Sequence, residues 1–170
     1  MHDSSALLHF HMAPVFQKFL VVLALPLADR WVHHQEKKIL NEGRELSEWE
    51  VDWAHDVGVM DVSRVRIAIV PEVPTPGSAP LQFLAKLVGL SMKASGMALG
   101  HGIYVEAINA TNPSLIVHEL VHVAQYERLG GIRNFLREYL IQCLRDGYWD
   151  AFLEREAREL ALKYARPPER

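Results

Sequence analysis

The chain has 170 residues, 49% of them hydrophobic and 23% charged, with a formal net charge of −3. That length and balance fit one domain with its own apolar core, and the slight negative charge gives no reason to expect a nucleic acid or an anionic membrane as partner. The single Cys143 excludes an intrachain disulfide and a cysteine-rich zinc site, so a metal would have to be held by histidine and carboxylate.

Residues 1–13 carry His2, His9 and His11 in a weakly patterned stretch and read as a flexible N-terminus. Residues 14–43 read as a helix, kinked at Pro26 and stopped by Gly43. The apolar run over 19–25 is too short to span a bilayer, so no stable membrane span is expected. Preceded by Lys18 and followed by Leu27 and Ala28, that run resembles a short secretory signal. A first core helix is the preferred reading, because the run flows through Trp31 into Glu36, Lys37 and Lys38. A cytoplasmic protein is therefore favoured, with secretion as the alternative.

Ser47 and Glu50 form a capping box that opens a short helix to about residue 56. Residues 64–70 alternate polar with apolar, largely β-branched side chains, which predicts a strand closed by Pro71. Pro74, Pro76, Gly77 and Pro80 make a loop, and the apolar run over 81–90 predicts a helix. Residues 91–100 are small and glycine-bearing and read as loop; residues 102–107 read as a second strand. A helix over about 113–129 follows, with Thr111 or Asn112 as its cap, Pro113 at its first position and Gly130-Gly131 at its end. Two more helices are predicted over about 132–146 and 151–165, parted by Gly147, before a tail over 166–170. The pattern gives a single α+β domain over 14–165, with a small sheet and a helical C-terminal half.

The 113–129 helix carries His118-Glu119-Leu120-Val121-His122, an HExxH motif. Histidines four apart lie on one helix face, close enough for both imidazoles to reach one zinc ion, while the glutamate can serve as base toward a water on the same metal. Leu115, Val117, Leu120, Val121 and Ala124 give this helix an apolar face that should bury it. No histidine follows His122, so a third ligand must be a carboxylate: Asp146, Asp150, Glu154, Glu156 and Glu159 are available. Glu154 borders the apolar face formed by Leu153, Ala157 and Leu160 and is preferred; Glu156 lies about 200° away around the helix and is the alternative. His101, Tyr104, Tyr126 and Tyr148 are candidates to stabilise an oxyanion. His101, before the second strand, and Tyr148, before the last helix, are the preferred pair.

The run from His118 to Tyr126, with Glu154-Arg155-Glu156-Ala157 downstream, resembles the gluzincin class of zinc metallopeptidases, whose signature is HExxH plus a glutamate on a later helix, often within ExxA. It is similar in particular to small, mostly uncharacterised bacterial members with an HELxHVxQ helix, some of which accompany contractile injection systems. The likeness covers about residues 100–160. It implies a zincin-like domain with zinc as cofactor, His118, His122 and Glu154 as ligands, Glu119 as general base, and a peptide or protein as substrate. It also implies an edge strand before the motif helix that pairs with substrate backbone, a role for which residues 102–106 are placed. Where the family's ExxxD variant has an acid, this chain has Arg158. The rival readings are a catalytically silent, zinc-stabilised binding or scaffolding module and a hydrolase of a non-peptide amide. Glu119 favours an enzyme, since a purely structural site needs no base.

Overall fold

The computed structural model describes residues 14–77, 81–82 and 94–164. The expected segments 1–13 and 166–170, and the expected 81–90 helix beyond residue 82, lie outside the described residues. Helix α1 (Pro14–Glu42) runs through Pro26. Val21, Leu25, Val32 and Ile39 recur at helical spacing along it and are buried. This stripe packs along α4 (Ile132–Asp146) and across the sheet. At the exit of α1, Arg44 grips Glu50 with two hydrogen bonds of 2.7 Å each. Glu50 also closes the expected capping box with Ser47, so α2 (Glu48–Asp56) starts at a fixed angle to α1.

The sheet has three strands: β1 (Arg66–Val70), β2 (Gly96–Leu99) and β3 (Gly102–Glu106). Its order is β1-β3-β2, with β1 parallel and β2 antiparallel to β3. This corrects the sequence reading twice. Residues 96–99, expected as loop, form a strand. Residues 102–106, expected at an edge, are the centre of the sheet. The cause is the two-residue connection Gly100-His101: Gly100 has φ +65°, open to glycine at no steric cost, and folds β2 straight back on β3 while β1 takes the other flank. Side chains alternate along β3. Gly102 abuts Ile39 of α1, Tyr104 on the same face donates its hydroxyl to Gln35, and Ile103 and Val105 are buried on the other face.

The motif helix, α3 (Pro113–Arg128), lies over β2 and against α5 (Phe152–Ala161). Asn112 caps it, accepting from Leu115 N–H at 3.3 Å, and Pro113 fills its first turn as expected. Val117 and Val121 of α3 meet Ala157 and Ala161 of α5. Two small residues on α5 let the helix axes approach closely. Between α3 and α4, Tyr126, Phe135 and Tyr139 stack in series at centroid distances of 3.8 and 5.4 Å. Cys143 is buried and free, and burial pushes its thiol up to about 12, so it acts as a small apolar residue. Among the described residues no helix is long and apolar enough to cross a membrane.

Candidate metal centre

α3 and α5 bring three donors together. His118 Nε2 and His122 Nε2 face each other at 3.1 Å. Glu154 sits across from both, with Oε2 3.4 Å from His118 Nε2 and Oε1 3.4 Å from His122 Nε2. Tetrahedral zinc with bonds of about 2.0–2.1 Å needs neighbouring ligand atoms about 3.3 Å apart, so the set matches in both type and spacing. Glu154 is 2% exposed, and its Oε2 has no hydrogen-bond partner although it is buried. A buried carboxylate oxygen without a hydrogen bond is costly; Arg158 Nη1, at 3.6 Å, offsets part of that cost, and a bound metal ion would supply the missing bond. No other group of three or more histidine, cysteine or acidic side chains among the described residues converges in this way.

The electrostatics follow from burial and neighbours. Burial alone would raise the Glu154 carboxyl; the two imidazoles and the Tyr139 hydroxyl, which donates to Oε1 at 2.7 Å, outweigh it and hold the group well below the usual carboxylate range. For His122 burial opposes the charged form, and Glu154 more than compensates, so its pKa is raised. Glu119 behaves in the opposite way from Glu154. It is 4% exposed, and burial raises its carboxyl despite His118, His122 and the Ala98 N–H, which favour the charged form. The two glutamates of the site are thus driven apart: one a firm anion among donors, the other a carboxylate with raised basicity.

All three donors and Glu119 line one cleft of about 930 Å³, with a largely apolar wall that includes Trp31, Met97, Leu140 and Trp149. Tyr148 lies on this cleft, close enough to Glu154 to interact with it, and burial followed by that carboxylate raises its pKa. His101 does not line it. Its ring is bound between Glu127, at 3.0 Å from Nε2, and Glu36, at 3.6 Å from Nδ1, in a charged cluster that ties α1 and the β2–β3 turn to the C-terminal end of α3. Its expected role at an oxyanion is corrected accordingly: the side chain is spent on structure. Tyr104 and Tyr126 are likewise committed, to Gln35 and to the Ala98 carbonyl. Glu156, the alternative ligand, points away from the histidines to Gln125 and Arg128.

Two neighbours of the site, Gly96 and Ala98, went unread in the sequence, and a third, Arg158, was read only as a departure from the ExxxD pattern. Gly96 and Ala98 of β2 touch the Glu119 carboxylate, and nothing in a run of small residues announces a strand there. Arg158 lines the cleft with Nη1 3.6 Å from Glu154 Oε2, its guanidinium lying over the Trp149 ring and donating to the Trp149 carbonyl. Its spacing of four from Glu154 was the available signal. Comparison with family models, with curated proteins and with solved structures yields no match.

Proposed function

We propose that the chain is a zinc-dependent peptide hydrolase of zincin-like, gluzincin type, with His118, His122 and Glu154 as the ligands. The observation that carries this reading is the convergence of two Nε2 atoms and a buried carboxylate at tetrahedral spacing, beside a second buried carboxylate on the same cleft. Bound there, zinc would supply a Lewis acid for the scissile carbonyl and lower the pKa of a water. The rest is the work of the chain. Glu119 accepts a proton from the attacking water and delivers it to the leaving amine, for which its raised pKa is suited. Tyr148 and Arg158 line the cleft as donors toward the developing oxyanion.

Substrate alignment passes from β3 to β2, the edge strand of the described sheet that lies under α3. Ser95 accepts from Glu106 N–H at 2.8 Å, so by the antiparallel alternation residues 95, 97 and 99 bond β3, and the backbone groups of Gly96 and Ala98 point outward. Ala98 is satisfied from α3, by Glu119 at its N–H and by Tyr126 at its carbonyl, at 3.3 Å. Gly96 is left to pair with an extended peptide.

The test is Glu119→Gln, which removes the base and no ligand. Zinc content and fold should match wild type, while hydrolysis of a diverse peptide library falls to background; His118→Ala and His122→Ala should lose the metal. Full zinc retention in both histidine variants, or undiminished cleavage by Glu119→Gln, overturns the reading.

A further inference from the structure

We infer that Gln125 is a positioning residue for the metal centre: it holds the His122 proton on Nδ1 and so keeps Nε2 free as a donor, and Glu156 is the anchor that keeps Gln125 turned the right way. The inference rests on the metal-site reading above but not on any hydrolytic activity.

Gln125 is held by three hydrogen bonds. Its Nε2 lies 2.9 Å from the Leu153 carbonyl and 2.8 Å from Glu156 Oε2. Both partners are pure acceptors, so the amide NH2 must face them, and the amide orientation is fixed by chemistry. Its Oε1 then faces His122 Nδ1 at 2.8 Å. An amide oxygen only accepts, so Nδ1 carries the hydrogen. In a neutral imidazole the lone pair is then on Nε2, the atom that faces His118 and Glu154. Without this restraint the nearby Glu154 carboxylate would draw the proton to Nε2, which is the tautomer that cannot bind metal there.

Burial makes the restraint strict. Gln125 is 0% exposed, so water cannot take over any of its three bonds. Glu156 is in turn gripped by Arg128, with Nη1–Oε1 at 2.9 Å and Nη2–Oε2 at 2.6 Å, a two-bond fork that fixes the carboxylate plane. Glu154 and Glu156, on different faces of α5, therefore serve one centre in different ways. The first supplies an oxygen to it; the second acts on His122 through Gln125, across the α3–α5 interface.

The test uses Gln125→Met, which keeps the length of the side chain and removes both its acceptor and its donor. Two readouts are needed: the ring-nitrogen spectrum of His122 in metal-free protein at alkaline pH, and zinc affinity by competition with a chromophoric chelator. Wild type should show the Nδ1–H form. Gln125→Met should shift toward Nε2–H and bind zinc about 10–100-fold more weakly. Glu156→Leu, which touches neither histidine, should move both readouts in the same direction. Glu156→Gln, which retains an acceptor oxygen for Gln125, should restore them toward wild type. If Gln125→Met fails to fold, the Glu156 pair carries the test. An unchanged His122 spectrum with unchanged zinc affinity in a folded Gln125→Met, or in Glu156→Leu where Gln125→Met does not fold, overturns the inference. Unchanged readouts in Glu156→Leu alone overturn the anchoring role. A wild type that binds no zinc defeats the metal reading, and the ring-nitrogen spectra still decide the tautomer.

Discussion

Adding one methyl group at Gly96 should separate activity from stability. A Cβ there would stand 2.7 Å from Glu119 Oε1, 3.0 Å from its Cγ and 3.1 Å from its Cδ. Ordinary contact begins near about 3.5 Å, so the carboxylate must retreat by about 0.5–0.8 Å. The obstructing atoms belong to the far end of a flexible side chain, so the side chain moves and the backbone stays. Gly96 is not among the glycines with positive φ, so alanine adopts its conformation without strain. Replacing glycine under those conditions stabilises by about 0.4–1 kcal/mol through the unfolded chain. Displacing a catalytic group by about 1 Å costs about 100-fold in rate, so a loss of about 30–100-fold in kcat is expected. The assay is kcat on a cleaved peptide, read with zinc content and Tm on the same preparation. Gly96→Ala should be as stable as wild type or slightly more so, fully metallated, and slow. Wild-type kcat would refute the placement of the base against β2; loss of zinc would show that the clash is passed to the ligands instead.

Gly102→Ala should behave in the opposite way. Its Cβ would lie 2.8 Å from Ile39 Cβ, an atom fixed to the α1 backbone, so strand and helix must part; a loss of about 1–3 kcal/mol is expected, seen as a lower midpoint in denaturant unfolding. His101 should make stability depend on pH. Glu36 and then Glu127 raise its pKa in the fold, so its contribution is complete below about 6.5 and disappears as pH rises through the higher folded value. Glu36 is held low by His101 and Arg64 against its own burial, so its contribution is present above its ordinary value and lost as pH falls through the depressed one. The stability gap between wild type and His101→Gln should therefore narrow from neutral toward alkaline pH; a gap that widens instead refutes the charged cluster.

The motif helix was legible because several local signals coincide there. Asn112, Pro113 and the glycine pair mark its ends, and the apolar spacing marks its buried face. That Glu154 and not Glu156 faces the two histidines was legible for a related reason: Ala157 marks the α5 face that meets α3, and Glu154 borders it. β2 was not legible. Gly96, Met97, Ala98 and Leu99 include no β-branched residue, and they form a strand because β3 offers a partner and α3 presses on the other side. The position of β3 within the sheet was hidden as well, since strand order is set by which neighbours fold back on it and not by its own side chains. His101 was misjudged because its partners, Glu36 and Glu127, lie 65 and 26 residues away in the chain.

A scaffold that kept zinc only for stability would have little use for Glu119. Its carboxylate is enclosed at 4% exposure and is no part of the ligand set, and among the described residues the leading favourable charges acting on it are the two histidines. Leaving a buried polar group short of hydrogen bonds costs about 1–3 kcal/mol, and more when the group is charged. An apolar side chain of similar size would be free of that cost. The fold instead accommodates the carboxylate closely: the N–H of Ala98 is turned toward it, and position 96 has no side chain because one would occupy its space. These features fit the proposed role of Glu119 as a base. They bear on Glu119 independently of the ligands, which is why Glu119→Gln separates the two readings. If the residue is a base, removing its charge should raise stability or leave it unchanged while abolishing turnover; if it is a structural member of the core, the same change should lower Tm.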